Sequence, residues 1–288
     1  MAIYKLFLGT VQFGLDYGIN NALGKPKEAE VFDILNHSFS SNIKTLDTAD
    51  AYGNASNLIG KFISESKKVF DVNTKFSNNN SMSIASQLQN SLLALKCENI
   101  DVYFYHKFSN FIDFPNSKYE LLELKETKRI NKIGISIYTN QEFETAINTD
   151  FIDVIQIPFN VLDNQNLRGE LIDYAKQNNK TIQVRSVFLQ GLFFKPINLL
   201  SEYFAPLKKY ILQLQHIAKE NNIATEALAL SYVLSNNKID KVLIGVDSLQ
   251  HLKTNLLHAQ TKISPQIIAE INAIKVVENE LLNPQNWK

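Results

Sequence analysis

The chain has 288 residues, 45% of them hydrophobic, and its 29 Lys and Arg are matched by 29 Asp and Glu. That length suits one large α/β barrel or two ordinary domains, and the apolar share supports a well-buried core. With no net charge and no polybasic run, nucleic acid and acidic membrane surfaces are excluded as partners, and a small-molecule partner is expected. Cys97 is the single cysteine, which excludes an internal disulfide and a cysteine-based zinc cluster and fits a cytoplasmic setting. The start MAIYKLFLGTVQFG lacks a basic leader and a long apolar core, and no apolar run reaches the roughly 18 to 20 residues of a membrane helix. A soluble, unprocessed protein is expected.

In chain order, short strand-like runs alternate with amphipathic stretches of helical period. KLFLG (Lys5 to Gly9) precedes a helix from Glu28 to Ser38, and IKTLD (Ile43 to Asp47) leads to FDVNTK (Phe70 to Lys75). A helix from Ser81 to Leu95 then precedes IDVYFYH (Ile100 to His106), and one from Glu120 to Lys128 precedes KIGIS (Lys132 to Ser136). FIDVIQIP (Phe151 to Pro158) is followed by a helix from Leu167 to Gln177, then by TIQVRS (Thr181 to Ser186). Helices from Tyr203 to Asn221 and Thr225 to Leu234 lead to KVLIG (Lys241 to Gly245), and a helix from Leu249 to Ala259 closes the series. About eight β/α units without a composition break favour a closed (β/α)₈ TIM barrel of the α/β class over an open sheet. No G-x-G-x-x-G follows a strand, and no linker divides the chain, so residues 1–288 read as a single domain.

Polar residues collect where barrel strands end. Asp47, Lys75 and His106 close three successive strands, and Tyr52 follows in the loop TLDTADAYG. Strand carboxyl ends carry the chemistry of barrel enzymes, so these four side chains converge. Each alone reads more simply as a helix cap, a solvated lysine or a hydrogen-bonded structural histidine. Their coincidence on adjacent strands favours chemistry. A phenol is a weak acid at neutral pH, and the Lys75 ammonium is expected to lower its pKa. Asp47 would hold Lys75, and His106 would hydrogen-bond a substrate carbonyl oxygen. No activated Ser or Cys and no metal-ligand spacing accompanies them, so no metal is expected. The set is a proton donor awaiting a carbonyl, with a cofactor needed for hydride.

These residues resemble the aldo-keto reductase superfamily over nearly the whole chain. The pattern of an Asp, a Tyr five positions on, and a Lys and a His on the next two strands is met by Asp47, Tyr52, Lys75 and His106. LGTVQFG, LDTADAYGNASNLIG, KIGIS and QIPFN surround it as in that family. The resemblance implies a barrel binding an extended nicotinamide dinucleotide across the strand ends, with Tyr52 protonating the carbonyl oxygen. It implies Ser136 and Gln156 at the nicotinamide carboxamide, Asp47 near its ribose, and Gly9, Thr10 and Ser186 along the cofactor. VLIGVDSLQHLKTNL (Val242 to Leu256) resembles the segment that receives the adenosine phosphates. There Gly245 allows close approach, Ser248 caps the helix whose free N–H groups face an anion, and Asn255 matches an adenine contact.

Two departures bear on specificity. His251, with Lys253 nearby, stands where many members place a basic group for a 2′-phosphate; NADP(H) is the first choice and NAD(H) the second. In VRSVFLQGLFF, Arg185 replaces a common aromatic residue; it either stacks or reaches a cofactor or substrate anion, or pairs with an acid at the barrel mouth. That segment resembles a bacterial branch associated with surface-polysaccharide and sugar-modification genes, so a small-molecule carbonyl substrate, sugar-derived, is expected. The connection Phe188 to Phe204, with Phe188, Phe193, Phe194, Tyr203 and Phe204, is a candidate pocket wall, as is the tail carrying Trp287. The competing readings are a Schiff-base barrel lyase using Lys75 and a redox-sensing module that holds cofactor without turnover. The oligomeric state has no signature in the sequence.

Overall fold

Apolar runs bounded by turn formers become the staves of a closed parallel barrel. A computed structural model of the chain, describing residues 2–19, 21, 24–77 and 82–287, gives the strand order β1 to β8 with β8 pairing back onto β1. The strands are β1 Leu6–Gly9, β2 Thr45–Asp47, β3 Asp71–Phe76, β4 Ile100–Tyr105, β5 Ile130–Ser136, β6 Val154–Pro158, β7 Thr181–Arg185 and β8 Lys241–Gly245. The fold is the (β/α)₈ TIM barrel.

Strand alternation sorts the side chains into two environments. On β6, Ile155 and Ile157 join the large apolar core under the helices, whereas Val154 packs with Val102 and Phe104 in a small separate cluster. Gly134 makes room for that cluster, because a Cβ there would lie 2.4 Å from the Phe104 ring. Polar side chains of the alternate set, Asn73 and Lys75 on β3, Gln156 on β6 and Gln183 on β7, are buried. Register places them together, with Asp47 opposite Asn73 and Gln156 opposite Gln183.

Element boundaries differ from the sequence reading where side chains take over backbone roles. β6 begins at Val154 rather than Phe151, and the Asp153 carboxylate accepts from the Ile133 amide at 2.9 Å. Ser83 caps helix Ile84–Leu95; the expected start at Ser81 lies outside the described residues. The expected helix from Tyr203 to Asn221 is split into a 3-10 turn, Glu202–Leu207, and an α-helix, Lys208–Glu220, with Pro206 interrupting the amide ladder. Helices Ala55–Ser66, Asn140–Ile147 and Pro265–Asn272 were not anticipated, and Ser264 and Thr139 supply two of their caps. Among the described residues, no helix is long and apolar enough to cross a membrane.

Two glycines fix the loop that carries Tyr52. A Cβ on Gly14 would fall 1.8 Å from the Tyr52 carbonyl oxygen, and Gly53, at φ +55, would place one 2.6 Å from the Gly14 oxygen. The LGTVQFG turn and the AYG turn therefore touch backbone to backbone. Gly14→Ala is expected to push this loop away, costing about 1–3 kcal/mol of stability as overpacking does and lowering any activity that uses Tyr52. Urea denaturation and turnover of the variant check both effects.

Candidate active site

The deepest part of the site is an ion pair. Asp47 ends β2 and Lys75 points inward from β3; both are about 2% exposed, and the Lys75 ammonium donates to Asp47 Oδ1. Lys75 also donates to the Thr48 carbonyl at 3.1 Å, and Gln156 Nε2 donates to Asp47 Oδ2 at 2.9 Å. Both Thr10 Oγ1 and the Thr10 amide donate to the Asp47 carbonyl at 3.0 Å. Every oxygen of Asp47 thus has a partner, the condition under which a buried carboxylate is tolerated.

Tyr52 and His106 lie above this pair, at the carboxyl ends of the strands. Their rings meet edge to face with centroids 5.9 Å apart, and the Lys75 nitrogen lies 5.4 Å from the Tyr52 ring centroid. Desolvation, with the Asp47 charge adding to it, holds the Tyr52 phenol above its usual pKa, while Arg185 pulls it down. This corrects the expectation that Lys75 lowers it. Lys75 is committed to Asp47, and of the two it is the Asp47 charge that acts on the phenol, in the same direction as desolvation. Burial draws the Lys75 ammonium below its usual value against the opposing Asp47 charge. Burial, followed by the charges of Lys75, Lys107 and Arg185, brings His106 down to about 3, so its imidazole is neutral at neutral pH.

Both rings line a cavity of about 450 Å³, which also reaches Gly9, Thr10, Asp47, Lys75, Ser136, Gln156, Arg185, Ser186, Gly245 and His251. Ser248 and Asn255 are not in its wall. Ser248 Oγ accepts from the His251 amide at 3.2 Å as the cap of helix Leu249–His258, and Asn255 is buried within that helix. The start of this helix is less open to an anion than expected. Glu30 Oε1, from helix Glu28–Ser40, accepts from the Leu249 amide at 2.6 Å and occupies one of the free donors. His251 is paired with Asp247, which raises the imidazole pKa and lowers that of the carboxyl.

Several lining residues had little signal in the sequence. Gln12, Tyr17 and Tyr138 sit in loops and short turns, whereas Asp247 was readable beside the Ser248 cap. Burial pushes Tyr17 up to about 12, and its hydroxyl accepts from Gln190 at 3.2 Å. That contact joins the β1 and β7 loops across the mouth. The β7 loop holds positive φ at Ser186 (60°), Leu189 (44°) and Gln190 (55°), strain of a kind that gathers at binding sites. Of its aromatic residues, Phe188 and Phe194 line the cavity, while Phe193 is buried in the core. Phe204 packs edge to face on Trp287 at 4.9 Å, and Trp287 donates to the Leu281 carbonyl, so Trp287 anchors the tail that brings Pro284 and Gln285 to the cavity.

The wall also fits a nicotinamide dinucleotide. Gln156 Oε1 and Gln12 Oε1 are buried acceptors without a partner among the described residues, suited to amide or hydroxyl donors. Gly245 leaves the space that Gln12 Nε2 fills, 2.7 Å from where a Cβ would stand. Among the described residues no cluster of His, Cys, Asp or Glu could hold a metal ion.

A closed parallel barrel with a deep, polar-walled cavity at its strand ends is the architecture of an α/β-barrel enzyme. The aldo/keto reductase family model matches residues 5–276, and the chain belongs to this family of NAD(P)-dependent oxidoreductases. Aldo-keto reductase YhdN of Bacillus subtilis is 25% identical over 183 residues, which are 59% of this chain and 55% of that protein. Aldo-keto reductase yakc [NADP(+)] of Schizosaccharomyces pombe is 22% identical, covering 88% of this chain and 85% of its own. The holo form of aldo-keto reductase AKR11C1 from Bacillus halodurans superimposes with a TM-score of 0.76 at 20% identity, covering 94% of this chain and 92% of that one.

Removing one member of the buried pair strands the other. Asp47→Asn is expected to cost about 3–5 kcal/mol, because it leaves the Lys75 ammonium without its counter-charge, and Asp47→Asn with Lys75→Met is expected to recover much of that loss. Denaturant midpoints of the two variants check the ordering.

Proposed function

We propose that this chain reduces an aldehyde or ketone to the alcohol, with Tyr52 as the proton donor. The observation that carries the reading is the convergence of Tyr52 and His106 on one cavity above the Lys75–Asp47 pair. A nicotinamide dinucleotide held along the strand ends by Gly9, Thr10, Ser136 and Gln156 would supply the hydride. Tyr52 gives its proton to the carbonyl oxygen, and His106, neutral, donates a hydrogen bond to the same oxygen. Arg185 draws the Tyr52 phenol down and so favours the phenolate left behind, while Asp47 holds the Lys75 ammonium in place near the ring. Gln156 Oε1 is the acceptor for the carboxamide amino group, with Ser136 beside it on β5.

Gly9, Thr10, Ser186 and Gly245 shape the floor under the dinucleotide, and Ser248 and Asn255 act by fixing the helix that carries His251. NADP(H) is the first choice of cofactor, with His251, whose imidazole pKa Asp247 raises, as its 2′-phosphate partner and support from the name of the Schizosaccharomyces pombe relative. A specific observation favours NAD(H) as the second reading. Asp247 and Glu30 place carboxylates at this end, and acids suit a 2′-hydroxyl better than a 2′-phosphate. The domain is taken as residues 1–288, in the cytoplasm, and a sugar-derived carbonyl is the substrate class suggested by VRSVFLQGLFF. The Schiff-base reading is not favoured, since the Lys75 nitrogen is taken up by Asp47 and the Thr48 carbonyl.

The deciding experiment titrates NADPH and NADH against protein fluorescence, then follows cofactor oxidation with a carbonyl panel that includes keto sugars. Tyr52→Phe is expected to lower turnover by roughly 10² to 10⁴. Full activity of that variant would remove Tyr52 as the donor, and tight cofactor binding without turnover would favour the redox-sensing module.

A further inference from the structure

The charges lining the cavity are balanced except at one place. Asp47 answers Lys75 and Asp247 answers His251, but Arg185 forms no ion pair among the described residues. Its guanidinium donates to the Ile137 carbonyl at 2.9 Å and to Ser186 Oγ at 3.4 Å, and its central carbon lies 3.9 Å from the Tyr138 ring centroid. These contacts orient the group without neutralising it. A guanidinium carries five N–H donors, and two hydrogen bonds leave most of them unused. Of the alternatives the sequence leaves open, pairing with an acid at the barrel mouth is absent among the described residues, which leaves an anion from outside the chain as the natural counter-charge.

Geometry says which anion. Arg185 ends β7 opposite Pro158 of β6, while Ile137 and Tyr138 follow β5. The side chain therefore reaches from β7 past β6 toward β5. That direction leads away from β8 and Gly245, where the cofactor phosphates belong, and toward Ser136 and Gln156. Stacking on Tyr138 fixes the plane of the fork, and a fixed planar fork matches the two oxygens of a carboxylate. Phe188 and Phe194 in the same cavity give an apolar wall to the rest of the molecule.

We propose that Arg185 receives a carboxylate of the substrate, so that the preferred substrates are aldehydes or ketones carrying a carboxylate near the reacting carbonyl, sugar acids among them. This rests on the carbonyl-reductase reading above. The test compares 4-carboxybenzaldehyde with 4-nitrobenzaldehyde, its neutral counterpart of similar shape, and succinic semialdehyde with butanal. The wild-type chain is expected to favour the carboxylated member of each pair in kcat/KM. Arg185→Met should shrink that advantage by roughly 10- to 100-fold, the worth of a charge-assisted hydrogen bond, and Arg185→Lys should restore part of it. An unchanged ratio in Arg185→Met overturns the proposal. So does a parallel fall for both members with weakened NADPH and NADH binding, which would assign Arg185 to the cofactor.

A second arm stands apart from turnover. Benzoate, titrated calorimetrically into the protein, should bind more weakly at high salt and lose roughly tenfold or more in Arg185→Met. If no aldehyde is reduced while benzoate behaves in this way, the reductase reading fails and the anion site stands. If benzoate does not bind, or binds both forms equally, the anion site fails.

Discussion

The ion pair of Asp47 and Lys75 is the constraint on which the rest of the site depends. Two charges removed from water inside a barrel are tolerated only when each oxygen and each ammonium hydrogen finds a partner. That requirement reaches far along the chain. Thr10 on the β1 side, Thr48 after β2 and Gln156 on β6 all donate to or accept from the pair. Gln183 on β7 is drawn in through its contacts with Asn73 and Gln156. Five strands are thereby held in one register by polar contacts inside the barrel, not only by the ladder outside. The apolar cluster of Val102, Phe104 and Val154 complements this layer without competing for its hydrogen bonds.

The pair also sets the electrostatics of what lies above it. Desolvation is the largest influence on both rings, with the Asp47 charge reinforcing it at Tyr52 and the Lys75 charge at His106, and it keeps the phenol protonated and the imidazole neutral. A site prepared in this way offers an O–H and an N–H to an incoming oxygen, with its one nearby carboxylate, Asp47, bound to Lys75. The cation able to shift the phenol is then Arg185, whose charge no acid cancels. Backbone contact between Gly14 and the Tyr52 loop adds the steric half of the arrangement, since the phenol can be poised only if its loop is held closely.

Much of this was legible in the sequence, for identifiable reasons. Alternation of apolar runs with helical periods gave the closed barrel, because parallel strands buried on both faces read as continuous apolar segments. Asp47, Tyr52, Lys75 and His106 were visible because ionisable residues at the ends of apolar runs need an explanation. Capped helices such as Asn140–Ile147 escaped notice, since their apolar faces are short and only the Thr139 and Glu142 box marks them. Gln12, Tyr17 and Tyr138 carry no local pattern, and their place in the wall follows from closure of the barrel. Glu30 illustrates the limit best. A glutamate in the first turn of a helix looks like a dipole partner of that helix, yet it accepts from the Leu249 amide on another, 219 positions away.

The two ends of the cavity differ in sign, and that asymmetry has consequences for orientation. Near β8, Asp247 and Glu30 supply carboxylates and leave the helix start partly satisfied, so backbone donors and the His251 side chain must carry any attraction for phosphate there. Near β5 to β7, Arg185 presents a charge without an ion-pair partner among the described residues, in the same cavity as Tyr52. A ligand with anions at both ends is therefore not held symmetrically: its stronger electrostatic anchor lies at the reacting end. Uncompensated charge at a protein site is costly to maintain in the free state, and its retention is most economical when the incoming molecule supplies the missing sign. On that reasoning the Arg185 end of this cavity is the more selective of the two toward anions, and the β8 end the more permissive.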